Sequence, residues 1–214
     1  MDKQETAIKP TAGVYKTFQE AYDFFNKEFF DSKLPACLIT MQRGRKSRGY
    51  FCAEQFEARV ESAYSVHEIA LNPMFFIKRT DEDILSTLLH EMVHLWQEEY
   101  GSPPRRNYHN REWAKKMEEI GLVPSNTGEE GGRKTGKQSM THYINPSGNY
   151  CGKVALFLKD GKVIGYQDRP TITIKRSRSK NKVKYSCPTC GLNAWGKEEI
   201  QIICGADKAE LIQV

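Results

Sequence analysis

Apolar residues recur at helical intervals near the start of the chain. They would share one side of a helix: Phe18, Ala21, Phe24, Phe25 and Phe29. Thr17 stands three residues before Glu20, which is the spacing of a capping box. The pattern therefore predicts an amphipathic helix that begins near Thr17 and ends near Asp31.

A second helix is predicted between Thr80, which can cap its amino end, and Gly101, which can end it. Its first turn holds three acidic residues, where the helix dipole favours anions: Asp81, Glu82 and Asp83. Its apolar residues have helical spacing: Ile84, Leu88, Leu89, Val93, Leu95 and Trp96. A shorter helix is predicted from Asn110 to Ile120, ahead of Gly121.

Short apolar runs bounded by turn residues predict strands over 38–41, 49–52 and 68–71. A loop is predicted over 127–137. Farther along, Asp160-Gly161 separates the apolar runs 154–158 and 163–166, and this pair suits the type I′ turn of a β-hairpin. The mixture predicts an α+β fold, with a first domain over 12–150. A small β-rich module over 151–214 would hold the hairpin, a basic segment and a cysteine cluster.

The composition is that of a folded protein. Of its 214 residues, 39% are apolar and 11% aromatic. The chain lacks the run of about 18 apolar residues that a membrane span requires. Its first ten residues are polar and lack the apolar segment of a secretory signal. We therefore expect a cytoplasmic protein with no membrane partner, a location compatible with association with the nucleoid.

The six cysteines are unevenly spaced. Because a cytoplasm keeps thiols reduced, a disulfide framework is not expected. Three cysteines cluster near the carboxyl end and are predicted to be metal ligands: Cys187, Cys190 and Cys204. The scattered ones are predicted to be small buried hydrophobic residues: Cys37, Cys52 and Cys151.

The second predicted helix contains the motif His90-Glu91-Met92-Val93-His94. Histidines four residues apart lie about 6 Å apart along one face of a helix, within reach of one zinc ion. Glu91 is rotated by about 100° from His90, so it would contact a metal-bound water rather than the metal. Zinc lowers the pKa of such a water toward about 7, and Glu91 would be the general base for attack on a peptide carbonyl. The alternative is a chance pattern, which would leave unpaired histidines on a buried face.

A catalytic zinc site needs a third protein ligand. The residues alone leave five candidates: His109, His142, Glu98, Glu99 and Glu112. The His-x-x-Gly-x-x-His continuation of metzincins is absent, because Gln97 and Tyr100 occupy the positions of its glycine and last histidine. His142 and Tyr143 would either line the cleft and stabilise an oxyanion, or belong to a strand beneath the site.

The run 88–94, followed by His109-x-x-x-Trp113, resembles SprT-like zinc metallopeptidases, the family of the DNA–protein crosslink protease Spartan. The resemblance spans roughly 15–150 and extends to the C-terminal Cys-x-x-Cys that bacterial and mobile-element members often carry. It implies a minimal zincin-like metalloprotease domain followed by a zinc ribbon. It implies that Glu91 is the catalytic base, and the zinc ligands that it implies are His90, His94 and His109.

The C-terminal cluster begins with Cys187 and Cys190, which have the spacing of a zinc knuckle. The strand-like run 200–203 leads to Cys204, and Asp207 stands where the family pattern has a further cysteine. Aspartate can bind zinc at about 2.0–2.2 Å, although thiolate is the softer ligand. The alternatives are a water as fourth ligand, a ribbon without metal, and an ordinary turn role for Asp207. We expect one catalytic and one structural zinc ion.

The net charge of +5 is concentrated in residues 169–184, which hold seven cations and no acidic residue. Without them the remainder would carry −2. Such a stripe suggests a polyanionic partner. The candidate nucleic-acid contacts are Lys175, Arg176, Arg178, Lys180, Lys182 and Lys184. The basic turn 43–48 and the pair 105–106 could extend this surface, whereas the alternative for the segment is a solvated connector.

Together these features predict a zinc-dependent endopeptidase that acts on proteins held on DNA or crosslinked to it. Two other functions stay open. One is a nucleic-acid-binding zinc-ribbon protein whose zincin fold is structural or inactive. The other is a general cytoplasmic metalloprotease that is indifferent to DNA.

Overall fold

A computed structural model of the chain describes residues 9–43, 47–59, 63–105, 108–137, 140–169 and 182–214. The chain divides into two compact units, Met1–Pro170 and Thr171–Val214. The helices described in the first unit are α1 (Pro10–Phe30), α2 (Asp81–Tyr100), α3 (Arg111–Ile120) and α4 (Asn149–Leu158). Its described strands are β1 (Leu38–Met41), β2 (Gly49–Glu57), β3 (Ser65–Leu71), β4 (Tyr108–His109), β5 (Leu122–Ser125), β6 (Gly136–Lys137) and β7 (Thr141–Ile144). Those of the second unit are β8 (Val183–Ser186), β9 (Asn193–Gly196) and β10 (Ile212–Gln213).

Helix α1 begins seven residues earlier than the capping-box spacing predicted, so that expectation is wrong. Pro10 occupies the first helical turn, where its fixed φ angle favours the helix and its missing N–H costs nothing. The Thr17 hydroxyl instead donates to the Gly13 carbonyl inside the helix, at 3.3 Å. The helix ends where expected, because Asp31 takes the left-handed conformation with φ 54°.

Helix α2 passes through the hydrophobic core and has the predicted caps. The Thr80 hydroxyl accepts from the Asp83 N–H at 3.1 Å, and the Asp83 carboxylate accepts from the Thr80 N–H at 3.2 Å. The core side of α2 is fully buried at Leu85, Leu88, Leu89, Met92 and Leu95. Side chains from α1, α3 and α4 pack in the same core. The motif-bearing helix is therefore held on several sides.

A three-stranded sheet lies against α2 in the order β1-β3-β2. Strand β3 pairs parallel with β1 and antiparallel with β2, and β2 has an irregularity between Cys52 and Phe56. Two smaller antiparallel pairs, β4 with β6 and β5 with β7, follow α2. The observed β2 and β3 extend beyond the predicted strands, since their outer parts are exposed and carry little apolar signal.

The predicted β-hairpin after position 150 is wrong, because residues 149–158 form helix α4. Tyr150, Val154 and Phe157 are buried and belong to the core of the first unit. Their spacing of four and three residues is that of a helix, and the Asp160-Gly161 turn signal outweighed it in the sequence. Residues 161–169 have no regular structure. The segment assigned to the C-terminal module therefore lies, up to Pro170, in the first unit.

The second unit is a small antiparallel sheet in the order β10-β8-β9. Its core consists of Tyr185, Cys187, Cys204 and Leu211. The helices and strands of the chain confirm the α+β class. Within the described residues, no helix has both the length and the apolar character needed to cross a membrane.

Candidate active site and metal centres

Three histidines converge at one point of the first unit. His90 and His94 lie one turn apart on α2, and His109 ends strand β4. One ring nitrogen from each lies within 4.8 Å of the others, and Nε2 of His94 is 3.1 Å from Nε2 of His109. Four ligands around zinc at about 2.0–2.1 Å would stand about 3.3–3.4 Å apart. The cluster therefore fits one zinc ion.

Burial keeps these three imidazoles neutral. It lowers the pKa of His94 to about 3 and that of His109 to about 4. The pKa of His90 lies well below its ordinary value, first through burial and then through the other histidines. Each ring therefore retains a nitrogen lone pair at neutral pH, which is the form that binds a metal.

A polar network holds the segment that delivers His109. The Gln97 amide donates to Asn110 Oδ1 at 2.9 Å and to Glu112 Oε2 at 2.6 Å. The Ser102 N–H donates to the same carboxylate oxygen at 2.8 Å. Asn110 also caps α3, directly after His109. Glu112, a sequence candidate for the third ligand, thus fixes the loop and lies outside the histidine cluster.

The other acidic candidates also lie outside that cluster. Glu99 contacts His67 instead, with Oε1 3.1 Å from Nε2. Glu98 is exposed two residues before the end of α2. Among the described residues, the only three-member group at this position is the three histidines.

Trp113 packs against all three histidine rings. It is fully buried, stacks on His94 at 5.2 Å and 19°, and meets His109 edge-on at 4.5 Å. Its centroid is 4.9 Å from that of His90. The indole therefore limits how far each imidazole can turn. In the sequence, Trp113 is part of the His-x-x-x-Trp motif, and the motif alone does not indicate this packing role.

Glu91 is buried beneath strand β2, with 5% of its surface exposed. Burial raises the pKa of its carboxyl to about 8, against a hydrogen bond from the Phe51 backbone that lowers it. A Cβ atom at Gly49 would lie 2.9 Å from the Ala70 carbonyl oxygen and 3.0 Å from Glu91 Oε1. Only glycine leaves room for the carboxylate there. A raised pKa is typical of a carboxyl group that exchanges protons near neutral pH.

His142 contacts the cluster from strand β7. Its Nδ1 is 3.1 Å from Nδ1 of His90, and its Nε2 is 2.8 Å from the Ser86 hydroxyl. Burial, followed by the charges of Arg48 and Arg79, lowers the pKa of His142 to about 3. The pairing of His142 with Ser86 has no signal in the sequence, because the two residues are 56 positions apart.

The neighbouring Tyr143 is half-buried and lines a cavity of about 340 Å³. Arg48, Arg79 and His142 line the same cavity. Thus His142 and Tyr143 both belong to a strand beside the histidine cluster, and Tyr143 also borders open space.

The C-terminal ligand candidates also come together. The sulfur atoms of Cys187 and Cys204 each lie 3.4 Å from Asp207 Oδ2, and those of Cys190 and Cys204 lie 3.7 Å apart. Around tetrahedral zinc, with Zn–S about 2.3 Å, sulfur atoms would stand about 3.8 Å apart and sulfur and oxygen about 3.5 Å. Hydrogen bonds from Cys190, Cys187 and Cys204 lower the pKa of Asp207. The four groups therefore fit one zinc ion, with Asp207 among them.

The basic candidates are only partly described. Lys182 and Lys184 are exposed at the start of the second unit's sheet. Lys184 is the cross-strand partner of Trp195, whose side chain is 62% exposed. Four candidates lie outside the described residues: Lys175, Arg176, Arg178 and Lys180. The basic turn at 44–46 and Arg106 also lie outside them.

An α+β unit that brings three histidines to one position, two of them from a helix that also carries a buried glutamate, has a metallopeptidase-like fold. Residues 18–131, more than half of the chain, match the model of the SprT-like family. This chain belongs to the SprT-like family, which confirms the resemblance seen in the sequence.

One relative is described as the "Uncharacterized protein in mucB 3'region" of Salmonella typhimurium. It is 48% identical to this chain over 60 residues, which cover 28% of this chain and 80% of the relative. The likeness therefore concerns a short part of the present protein.

Proposed function

We propose that the protein is a zinc-dependent endopeptidase. The observation that carries this proposal is the convergence of three neutral histidines at one position, with the buried Glu91 between two of them on helix α2. His90, His94 and His109 would hold the ion. When bound, zinc polarises the peptide carbonyl and acidifies water at the site.

Glu91 then moves the proton. Its carboxylate accepts a proton from the attacking water, and its raised pKa suits it to return that proton to the departing amine. Strand β2 crosses this carboxylate and is an edge strand in the sheet of the described residues. An extended peptide can add to an edge strand as one further strand of the sheet. This arrangement supports a polypeptide substrate.

The test is Glu91→Gln, which keeps the shape of the side chain and removes the base. We expect cleavage of a protein substrate to fall by about 10²–10⁴-fold, the usual contribution of a general base, with zinc content unchanged. The matched control is Glu98→Gln, an exposed carboxyl on the same helix that should leave cleavage unaltered. Cleavage at the wild-type rate by Glu91→Gln contradicts the proposal.

We further propose that the substrates are proteins held on DNA. Lys184 lies opposite the exposed Trp195 on the neighbouring strand, and the exposed Lys182 precedes it by two residues. A base can stack on such an indole while lysines contact phosphates. The cysteine and aspartate cluster would hold a structural zinc ion that keeps this sheet folded. The proposal rests on this described face and on the basic sequence that precedes it.

The comparison that tests it is cleavage of one DNA-binding protein with and without DNA. We expect DNA to accelerate cleavage, and Trp195→Ala to remove the acceleration while leaving cleavage without DNA unchanged. An equal rate with and without DNA favours a general protease. DNA binding without any cleavage favours a non-enzymatic nucleic-acid-binding protein.

A further inference from the structure

We infer that Ser86 and His142 form a hydrogen-bonded relay that sets the tautomer of His90 and leaves its Nε2 free for the metal. His142 is thus a positioning residue that acts through His90. The inference rests on the proposed zinc site. It assigns the site two residues beyond the three histidines and Glu91.

The first end of the relay lies in helix α2. Ser86 donates its hydroxyl proton to the Asp83 carbonyl, one turn earlier, at 2.8 Å. What Ser86 Oγ still offers to His142 is a lone pair. Nε2 of His142, 2.8 Å away, is therefore the donor and carries the imidazole hydrogen.

The second end lies at the metal position. Two ring nitrogens at 3.1 Å form a hydrogen bond when one of them carries the hydrogen and the other the lone pair. Since His142 holds its hydrogen on Nε2, its Nδ1 is the acceptor of this pair. Nδ1 of His90, at 3.1 Å, must then be the donor. His90 therefore has its lone pair on Nε2, the nitrogen that remains for a metal. A metal bound at Nε2 of His90 requires the hydrogen of that ring to be on Nδ1. The hydrogen bonds that begin at Ser86 place it on the same nitrogen.

The three side chains of the relay are buried, so water cannot easily take the place of any of these hydrogen-bonding partners. His90 and His142 are each 7% exposed, and Ser86 is 2% exposed. A doubly protonated His142 would place a cation in the interior beside Arg48 and Arg79. Without His142, the His90 N–H would lose its acceptor, and its hydrogen would no longer be fixed on Nδ1.

Side-chain NMR of the full chain with ¹⁵N-labelled histidine tests the relay directly. Five histidines are present, and the substitutions below help to assign them. In the metal-free protein we expect His90 to be the Nδ1–H tautomer and His142 the Nε2–H tautomer. An Nε2–H tautomer at His90 overturns the inference.

Zinc affinity gives the second readout, followed through the same histidine signals against a competing chelator. We expect His142→Leu to weaken zinc binding at the histidine site by about 10–100-fold, the usual effect of losing such a partner. His142→Asn can offer an amide oxygen near the position of Nδ1, and it should restore most of the affinity. The matched control is His67→Asn, a histidine outside the cluster, which should change nothing. Unchanged affinity in a folded His142→Leu variant overturns the inference.

If His142→Leu does not fold, Ser86→Ala provides a second test of the relay. Removing the hydroxyl should release the fixed tautomer of His142, so that both of its tautomers become populated. A His142 that stays wholly in the Nε2–H form in Ser86→Ala shows that Ser86 does not direct it. These readouts do not use cleavage, so a failed relay and a failed peptidase proposal are distinguishable.

Discussion

Asp207 stands in the cysteine cluster of the second unit, where it would offer zinc a harder ligand than a thiolate. Its carboxylate lies 3.4 Å from two sulfur atoms, so it can complete a tetrahedral set. We expect Asp207→Ala to weaken zinc binding at this cluster on the order of tenfold or more, and Asp207→Cys to strengthen it, because zinc favours soft thiolates.

Zinc competition with a chelator, together with protection of the thiols from alkylation, measures the effect. Glu198→Ala is the control, since Glu198 is an exposed carboxyl of the same unit outside the cluster. Equal affinities for wild type and Asp207→Ala would assign Asp207 an ordinary turn role.

The Cys37 thiol should make the free energy of unfolding fall at alkaline pH. Burial raises the pKa of this thiol from 9.0 to about 12 in the folded protein. The folded state therefore keeps a proton that the unfolded chain releases. The resulting stability is present in full below pH 9 and is lost as the pH rises toward 12, by at most about 1.4 kcal/mol per pH unit.

Urea unfolding of the wild type and of Cys37→Ala at pH 8, 9 and 10 measures this effect. We expect a shallower decline in the free energy of unfolding for the variant. Parallel profiles would mean that the Cys37 thiol titrates alike in both states.

The amino-terminal cap of helix α2 should contribute measurably to the stability of the protein. Thr80 and Asp83 cap each other reciprocally, so Thr80→Ala should lower the free energy of unfolding by about 1 kcal/mol. Thr17→Ala is the control, because Thr17 lies inside α1 and caps nothing. It should cost no more than about 0.5 kcal/mol. Chemical denaturation of both variants measures the two losses in the free energy of unfolding. Equal losses would mean that the Thr80 cap contributes no more than a threonine inside a helix.

The same two threonines show what a sequence can predict about elements. The cap at Thr80 followed from local chemistry, because its partner lies three residues away on a strong apolar pattern. At Thr17 the same spacing was misleading, since Pro10 had already started the helix. At α4 two local signals conflict. The Asp160-Gly161 turn predicts a β-hairpin, whereas the spacing of Tyr150, Val154 and Phe157 is helical, and the chain forms the helix. Local signals compete, and packing in the core decides between them.

The candidate site divides in a similar way. His90, Glu91 and His94 follow from one helical motif, and the family resemblance supplied His109. The partnership of His142 with Ser86 joins a strand to a helix and has no local signature. Glu112 appeared as a possible ligand because its residue type allowed it, but Gln97 and Ser102 engage its carboxylate. Tertiary contacts assign such roles.

At the scale of the whole molecule, the two candidate metal centres lie in separate compact units. We therefore expect Cys187→Ser to reduce bound zinc from two ions to one. Cleavage of a short unstructured peptide should continue, because the histidine cluster belongs to the first unit. Any acceleration by DNA should be lost with the second.

Metal analysis and peptide cleavage on the same preparation test this independence. Cys151→Ser is the control, since Cys151 belongs to neither candidate centre, and it should retain two ions. If Cys187→Ser also loses the peptide activity, the two units do not function independently.

Gly49 has a consequence for descent within the family. Strand β2 passes so close to Glu91 that one added methyl group would crowd the carboxylate. A glycine codon becomes an alanine codon by a single base change. A lineage that made this change would keep every histidine and the glutamate of its motif, and a genome survey that counts motifs would still class it as a peptidase. Descendants that have lost the proposed activity should therefore be identified by the residue at position 49, which lies outside the motif.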